Sequence, residues 1–228
     1  QKSPFPSMLP TMEEIRSYRS EDREHVRRIW REVGWIRDEN YKPIATLLED
    51  ADAHVGLLRG GAESLAVTVS GSFRYLRQEL PMTIVAAVTT SLIARRQGLA
   101  GRTTARALLA GAERGDLVAA LGVFDSGYYD RLGFANMPYT HRLSFDPAQL
   151  VVPTPDRPPH RFDVSHSELI HASRTRRLRR HGAANILSAA HTRTEMLERS
   201  EALGLGYLDD RGAISHHLWG DIKGEHGP

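Results

Sequence analysis

IVAAVTTSLIARRQGLAGRTTARALLAGA, residues Ile84–Ala112, decides how the rest of the chain is read. It opens as a near-continuous apolar run, the pattern of a strand in the middle of a sheet. Two arginines and two glycines follow, and then an alanine-rich helix. A strand that feeds a helix through a glycine-containing loop aims free backbone N–H groups at the space above the sheet, and the helix dipole adds positive potential there. Arg95, Arg96 and Arg102 add full charges able to fork onto phosphate oxygens. The junction reads as a seat for an anionic cofactor. The nucleotide-binding spellings G-x-x-x-x-G-K-[ST] and G-x-G-x-x-G are both absent, and Arg95-x-x-Gly98-x-Ala100 stands in their place.

Working outward, the patterning gives alternating strands and helices. Glu13–Tyr18 suits an edge strand, and Ser20 can cap a helix over Glu21–Val33 whose Val26, Ile29, Trp30 and Val33 share one face. A short helix is expected at Pro43–Leu48. Strands follow at His54–Arg59, Val67–Tyr75 (half-buried, by its alternation) and Met82–Thr90. A helix over Gly101–Arg114 presents Ala105, Leu108, Leu109 and Ala112 as its apolar face. Strand Leu117–Val123, short helix Gly127–Leu132 and strand Tyr139–Phe145 complete a first unit, residues 1–150. The proline-rich PTPDRPPHRF marks a linker at 151–162. Beyond it a strand (Phe162–Val164), helices at Ser167–His181, Ala183–Leu187 and Thr192–Leu203, and a hairpin Leu205–Trp219 form a smaller unit, 163–228. The sequence opens on Gln rather than Met and ends on GEHGP just after a strand, so this second unit is expected to be partial.

The 228 residues carry 30 Lys+Arg against 28 Asp+Glu, a formal charge of +2. That balance argues against a nucleic-acid binder. The absence of cysteine excludes disulfides, thiolate metal sites and a cysteine nucleophile. No run approaches the ~20 apolar residues of a membrane span, so a cytoplasmic location without membrane contact is expected. The basic run RTRRLRRH, Arg174–His181, reads as a solvated or domain-docking face, and the eleven histidines lack ligand spacing, so no metal is expected.

VAAVTTS followed by RRQGLA resembles the acetyl-CoA motif of the GNAT superfamily of N-acetyltransferases. FDSGYYDRLGF, Phe124–Phe134, resembles the end of a GNAT domain, and in particular that of the enhanced intracellular survival (Eis) acetyltransferases; the part after the linker, from HASRTRRLRRHG to GYLDDRGAISHHLWG, resembles the second, degenerate GNAT unit of that subfamily. The resemblance implies an α/β (α+β mixed) GNAT fold, with a mixed, mostly antiparallel sheet and flanking helices, followed by a second, partial GNAT-like unit. It implies acetyl-CoA as co-substrate, with Arg95, Arg96, Gly98, Leu99 and Ala100 around the pyrophosphate and Val88, Thr89 and Thr90 along the pantetheine arm. It implies a homo-oligomer. Tyr129 aligns with the tyrosine the family uses to protonate the departing thiolate, and Tyr128 beside it is a decoy. Asp125 occupies an acidic position of the motif and is the candidate base, against its ordinary use as a loop cap.

Acetyl transfer to an amine needs a neutral amine, a hydrogen bond to the developing oxyanion and a proton for the thiolate. A lysine-like amine of pKa ~10.4 costs roughly 4–5 kcal/mol to deprotonate at pH 7. A main-chain N–H from Val88–Thr90 is the candidate oxyanion donor. Asp38, Glu39, Glu49, Asp50 and Asp52 would form an acidic mouth for a cationic amine such as an aminoglycoside or polyamine. The alternative is a non-catalytic acyl-CoA-binding or regulatory module, with an intact loop and no working base.

Overall fold

The computed structural model describes residues 14–37, 45–49, 51–122, 127–137, 146, 149, 158–177, 179–199 and 202–220. In chain order the elements are β1 (Ile15–Ser17), α1 (Arg23–Glu32), β2 (Asp52–Leu58), β3 (Gly61–Tyr75), β4 (Gln78–Thr90), α2 (Leu99–Glu113), β5 (Val118–Leu121), β6 (His160–Phe162), α3 (Ser167–Arg176), β7 (Ala184–Ile186), α4 (Ala189–Glu198), β8 (Leu203–Leu208) and β9 (Ile214–Gly220). Strands β1 to β5 lie in sequence order, antiparallel except for the parallel β4–β5 pair. The expected closing strand Tyr139–Phe145 and residues 151–157 of the linker lie outside the described residues, as do residues 43 and 44 of the helix expected at Pro43–Leu48, whose Thr46–Leu48 form a 3-10 turn; the end of the expected linker forms β6.

Fifteen residues at ~3.3 Å each make β3 about 50 Å long, roughly twice β2. Its expected half-burial holds only at the far end: Ala62–Val69 are buried on both faces, because a helix covers each side. Leu65, Val67 and Val69 join Val55 and α1's Val26 and Trp30 in one core. The opposite face of β2 and β4 receives α2.

The apolar stripe expected on α2 faces the wrong way. Ala105, Leu109 and Ala112 are exposed, and the buried positions are Leu99, Thr103, Thr104, Ala107 and Gly111. The helix sits so close to the sheet that small side chains win. A Cβ at Gly56 would come 2.7 Å from Thr103 Oγ1, and one at Gly111 would collide with Thr83 Oγ1. Thr83 cannot step aside freely, since its hydroxyl donates to Asp116 Oδ2 at 2.6 Å.

The second correction concerns Ala183–Leu187. Instead of a helix, Ala184–Ile186 are β7, paired antiparallel with Gly71–Phe73 of β3. Since β2 runs out opposite Thr68, the remaining edge of β3 offers free ladder groups that outcompete helix propensity. The helix expected to reach His181 ends at Arg176. The basic run then turns back onto the first sheet, where Arg179 bonds Ser72 Oγ at 2.7 Å and Glu79 at 2.9 Å, and His181 Nδ1 accepts from the Leu76 N–H at 3.1 Å. Helix α4 begins three residues earlier than expected because Ser188 caps it, accepting from the His191 N–H at 3.0 Å. The antiparallel sheet β6–β8–β9 encloses a small core of Phe162, Ile170, Met196 and Ile214.

Gly111→Ala tests the close approach of α2. Helix propensity alone favours alanine by up to ~1 kcal/mol. The variant is nevertheless expected to lose about 1–3 kcal/mol in urea unfolding through overpacking against Thr83, and Thr83→Ala in the same chain is expected to restore most of it.

Candidate active site

The site begins with a fault in the β3–β4 ladder. Leu65 pairs with Thr89 but Val67 pairs with Ala86, so β4 carries one extra residue between them. This is a β-bulge, centred where Ala87 adopts a left-handed φ of 49°. The parallel pairing of β4 with β5 runs only over Met82–Val85. Past it, Val88–Thr90 have no partner on β5 among the described residues and border a gap.

The gap is a cavity of about 850 Å³. One wall is Val88, Thr89 and Thr90 of β4. The floor is the loop Ala94–Gly98 and the first turn of α2, with all five residues expected around the pyrophosphate: Arg95, Arg96, Gly98, Leu99 and Ala100. Tyr129 stands on the far wall with Tyr128, Arg131 and Leu132, and Val33 and Trp35, just past α1, close one side. The structure thus brings together every expected site residue except Asp125, which lies outside the described residues. Of the expected acidic mouth, residues 38, 39 and 50 also lie outside them. Glu49 is exposed, and Asp52 pairs with Arg114 at the C-terminal end of α2, the end away from the cavity.

The loop is shaped to point main-chain donors inward. Gly98 caps α2 with φ 73° and has no side chain to occupy the free N–H groups of the first turn. Arg96 is also left-handed, φ 61°, a conformation that costs a non-glycine residue about 1–2 kcal/mol. Arg95, Arg96, Arg102 and Arg131 line the cavity, and no carboxylate does so among the described residues. These donors suit a polyanionic ligand such as the phosphates of coenzyme A.

Residues that the sequence reading did not single out hold the loop in place. The Arg28 guanidinium bonds Glu32 and Glu63, each at 2.8 Å, and the Ala62 carbonyl at 3.1 Å. Glu32 accepts the Leu92 N–H at 3.0 Å, and the Glu63 carbonyl accepts the Ser91 N–H at 2.8 Å. The Glu32 carboxylate and the Glu63 main-chain carbonyl therefore tie α1 and β3 to the start of the loop, and Arg28 joins the two glutamates. Only the i, i+4 spacing of Arg28 and Glu32 was visible in the sequence. Tyr128 was set aside as a decoy, yet it too lines the cavity, its ring edge-on to Tyr129 at 4.9 Å between centroids. Burial raises its phenol's pKa, with Arg131 opposing.

Among the described residues no three or more His, Asp or Glu side chains are grouped to hold a metal ion, and no helix is long and apolar enough to cross a membrane. No protein-family model and no curated protein matches the sequence. The fold does have relatives among solved structures. A conserved Enterococcus faecalis V583 protein of unknown function, described as a probable N-acyltransferase, superposes with a TM-score of 0.68 at 13% identity, over 93% of this chain and 55% of that one. Eis1 from Mycobacterium abscessus superposes with a TM-score of 0.67 at 15% identity, over 94% of this chain and 54% of its own. The chain spans about half the length of either. At such identities the likeness establishes the fold, which is the mixed α/β GNAT fold expected, and it extends past the first sheet through the residues beyond 160.

Arg96 separates backbone strain from charge. Arg96→Gly is expected to leave the melting temperature unchanged or higher, since glycine accepts the left-handed conformation, while weakening binding of inorganic pyrophosphate about tenfold by calorimetry, the loss of one charge-assisted contact. A clear drop in melting temperature would contradict the left-handed backbone at this position.

Proposed function

We propose that the chain is an N-acetyltransferase that moves the acetyl group of acetyl-CoA to a primary amine of a small cationic molecule. The observation that carries the reading is the cavity itself: bulged strand end, glycine-capped helix, arginine-rich loop and tyrosine wall meet around one space. Acetyl-CoA supplies the activated thioester when bound. Arg95, Arg96 and the first-turn N–H groups of α2 hold its phosphates, and Val88–Thr90 run alongside its arm. A main-chain N–H beside the bulge donates to the thioester carbonyl oxygen as charge develops there. Tyr129 donates a proton to the departing sulfur as general acid.

Asp125 is the proposed base for the amine; in the sequence it falls between β5 and Tyr128. The division at 151–162 is retained, with residues 1–150 as the transferase unit and 163–228 as a partial second unit that lends β7 to the first sheet. The same reading carries a cytoplasmic location with no nucleic-acid, membrane or metal partner and, on the strength of the family resemblance, a homo-oligomer.

Calorimetric titration of acetyl-CoA into the parent is expected to give saturable binding that Arg95→Ala/Arg96→Ala abolishes. With a panel of polyamines and aminoglycosides as acceptors, Tyr129→Phe is expected to lower kcat by about 10²–10⁴-fold at unchanged cofactor affinity. Binding with no turnover on any amine would favour the acyl-CoA-binding module instead, and no binding by the folded parent would remove both readings.

A further inference from the structure

The tyrosine wall of the cavity holds a second phenol for which the chemistry above has no use. Tyr128 lines the same cavity as the anion loop, and its hydroxyl has no hydrogen-bond partner among the described residues. Its location is defined from the opposite wall. A Cβ built on Gly101, the third residue of α2, would lie 3.8 Å from Tyr128 Oη, with nothing else within 4 Å. Gly101 belongs to the turn whose N–H groups have no partner within the helix. The phenol therefore reaches across the cavity to the helix terminus rather than toward the neighbouring sheet.

The ring is held from two sides. The Arg131 guanidinium lies over its face at 4.9 Å from the centroid, and Arg131 Nε donates to the Tyr128 carbonyl at 3.3 Å. Tyr129 abuts it edge-on, and Tyr129 is itself edge-on to Phe134 at 5.9 Å. A stacked cation holds the ring without occupying its hydroxyl. Burial raises the phenol's pKa and so favours the neutral hydroxyl, which can donate.

We infer that Tyr128, braced by Arg131, is a phosphate-positioning residue: its hydroxyl donates to a phosphate oxygen of the ligand seated at the first turn of α2, completing from the far wall the donor set that the loop begins. The inference rests on the coenzyme A reading of the cavity. It divides the two adjacent tyrosines by task, Tyr129 toward the sulfur end of the ligand and Tyr128 toward the phosphate end. Arg131 acts through the ring. The glycine at 101 leaves the space between helix and phenol open.

The experiment compares coenzyme A with phosphate-free pantetheine in calorimetry and thermal-shift titrations of the parent, Tyr128→Phe, Arg131→Met and the double variant. Tyr128→Phe is expected to weaken coenzyme A about tenfold and leave pantetheine affinity within twofold. Arg131→Met should weaken coenzyme A to a similar extent, and the double variant should lose little more than either alone, because both changes release one donor. In turnover assays Tyr128→Phe should raise the KM for acetyl-CoA at unchanged kcat, the opposite of the split expected for Tyr129→Phe. Undiminished coenzyme A binding by a folded Tyr128→Phe would overturn the inference alone, as would an equal loss of pantetheine. A parent that binds no coenzyme A would overturn the reading on which it rests.

Discussion

One surplus residue in β4 is the constraint from which the rest of the site follows. With β3 and β4 locked in antiparallel register on both sides of Ala87, the extra residue cannot be absorbed by sliding either strand. The chain takes it up as a bulge, just past the residues of β4 that pair with β5. The parallel pair ends at Val85–Leu121, and beyond it Val88–Thr90 form one wall of a cleft. Ala87 adopts a conformation few non-glycine residues accept and is held there by burial in the core beneath α1.

The cleft alone would be a passive gap. Its polarity comes from what stands at its floor, and that depends on where the chain is pinned after β4. Ser91 and Leu92 are caught by Glu63 and Glu32, and Arg28 holds both carboxylates in turn. From that anchored start the chain has six residues to reach Gly98, enough to turn Arg95 and Arg96 toward the cavity and launch α2 with its first N–H groups bare. Electrostatics and covalent geometry here act in series. The ion-pair network fixes the loop's origin, the two left-handed residues set its path, and the helix supplies the field at its end.

Much of this was legible in the chain. The apolar run, the arginines and Gly98 placed strand, loop and helix within a few residues, because strong periodicity and a glycine stop are local signals. The face of α2 was misread for a reason also visible in the residues. Hydrophobicity ranks Leu109 above Thr103 and Gly111, whereas a helix pressed this close to a sheet selects for size. Strand β7 was misread because its conformation is decided by an edge more than a hundred positions earlier. The Arg28 network was invisible for the same reason: Glu63 is a surface-type residue in any local window, and only the fold puts it 2.8 Å from a guanidinium. Tyr128 and Tyr129 differ by one position, and sequence matching favoured one while the cavity receives both.

The docking of β7 onto β3 also fixes how this chain comes apart. Arg179 and Ser72, which meet at that seam, are 107 positions apart. The contact closes a very long loop, whose entropic cost grows only with the logarithm of its length. It requires the edge of β3 to exist before the later segment can add to it. The small core around Ile170 and Met196 is modest for independent stability, so the later residues draw their persistence from the earlier sheet. Thr46 and Thr194, hydroxyl to hydroxyl at 2.7 Å, add a second stitch between the same two regions. Melting of the later region therefore uncovers the far edge of β3, and loss of the earlier sheet leaves β7 with no template: the later region is not expected to outlast the earlier one.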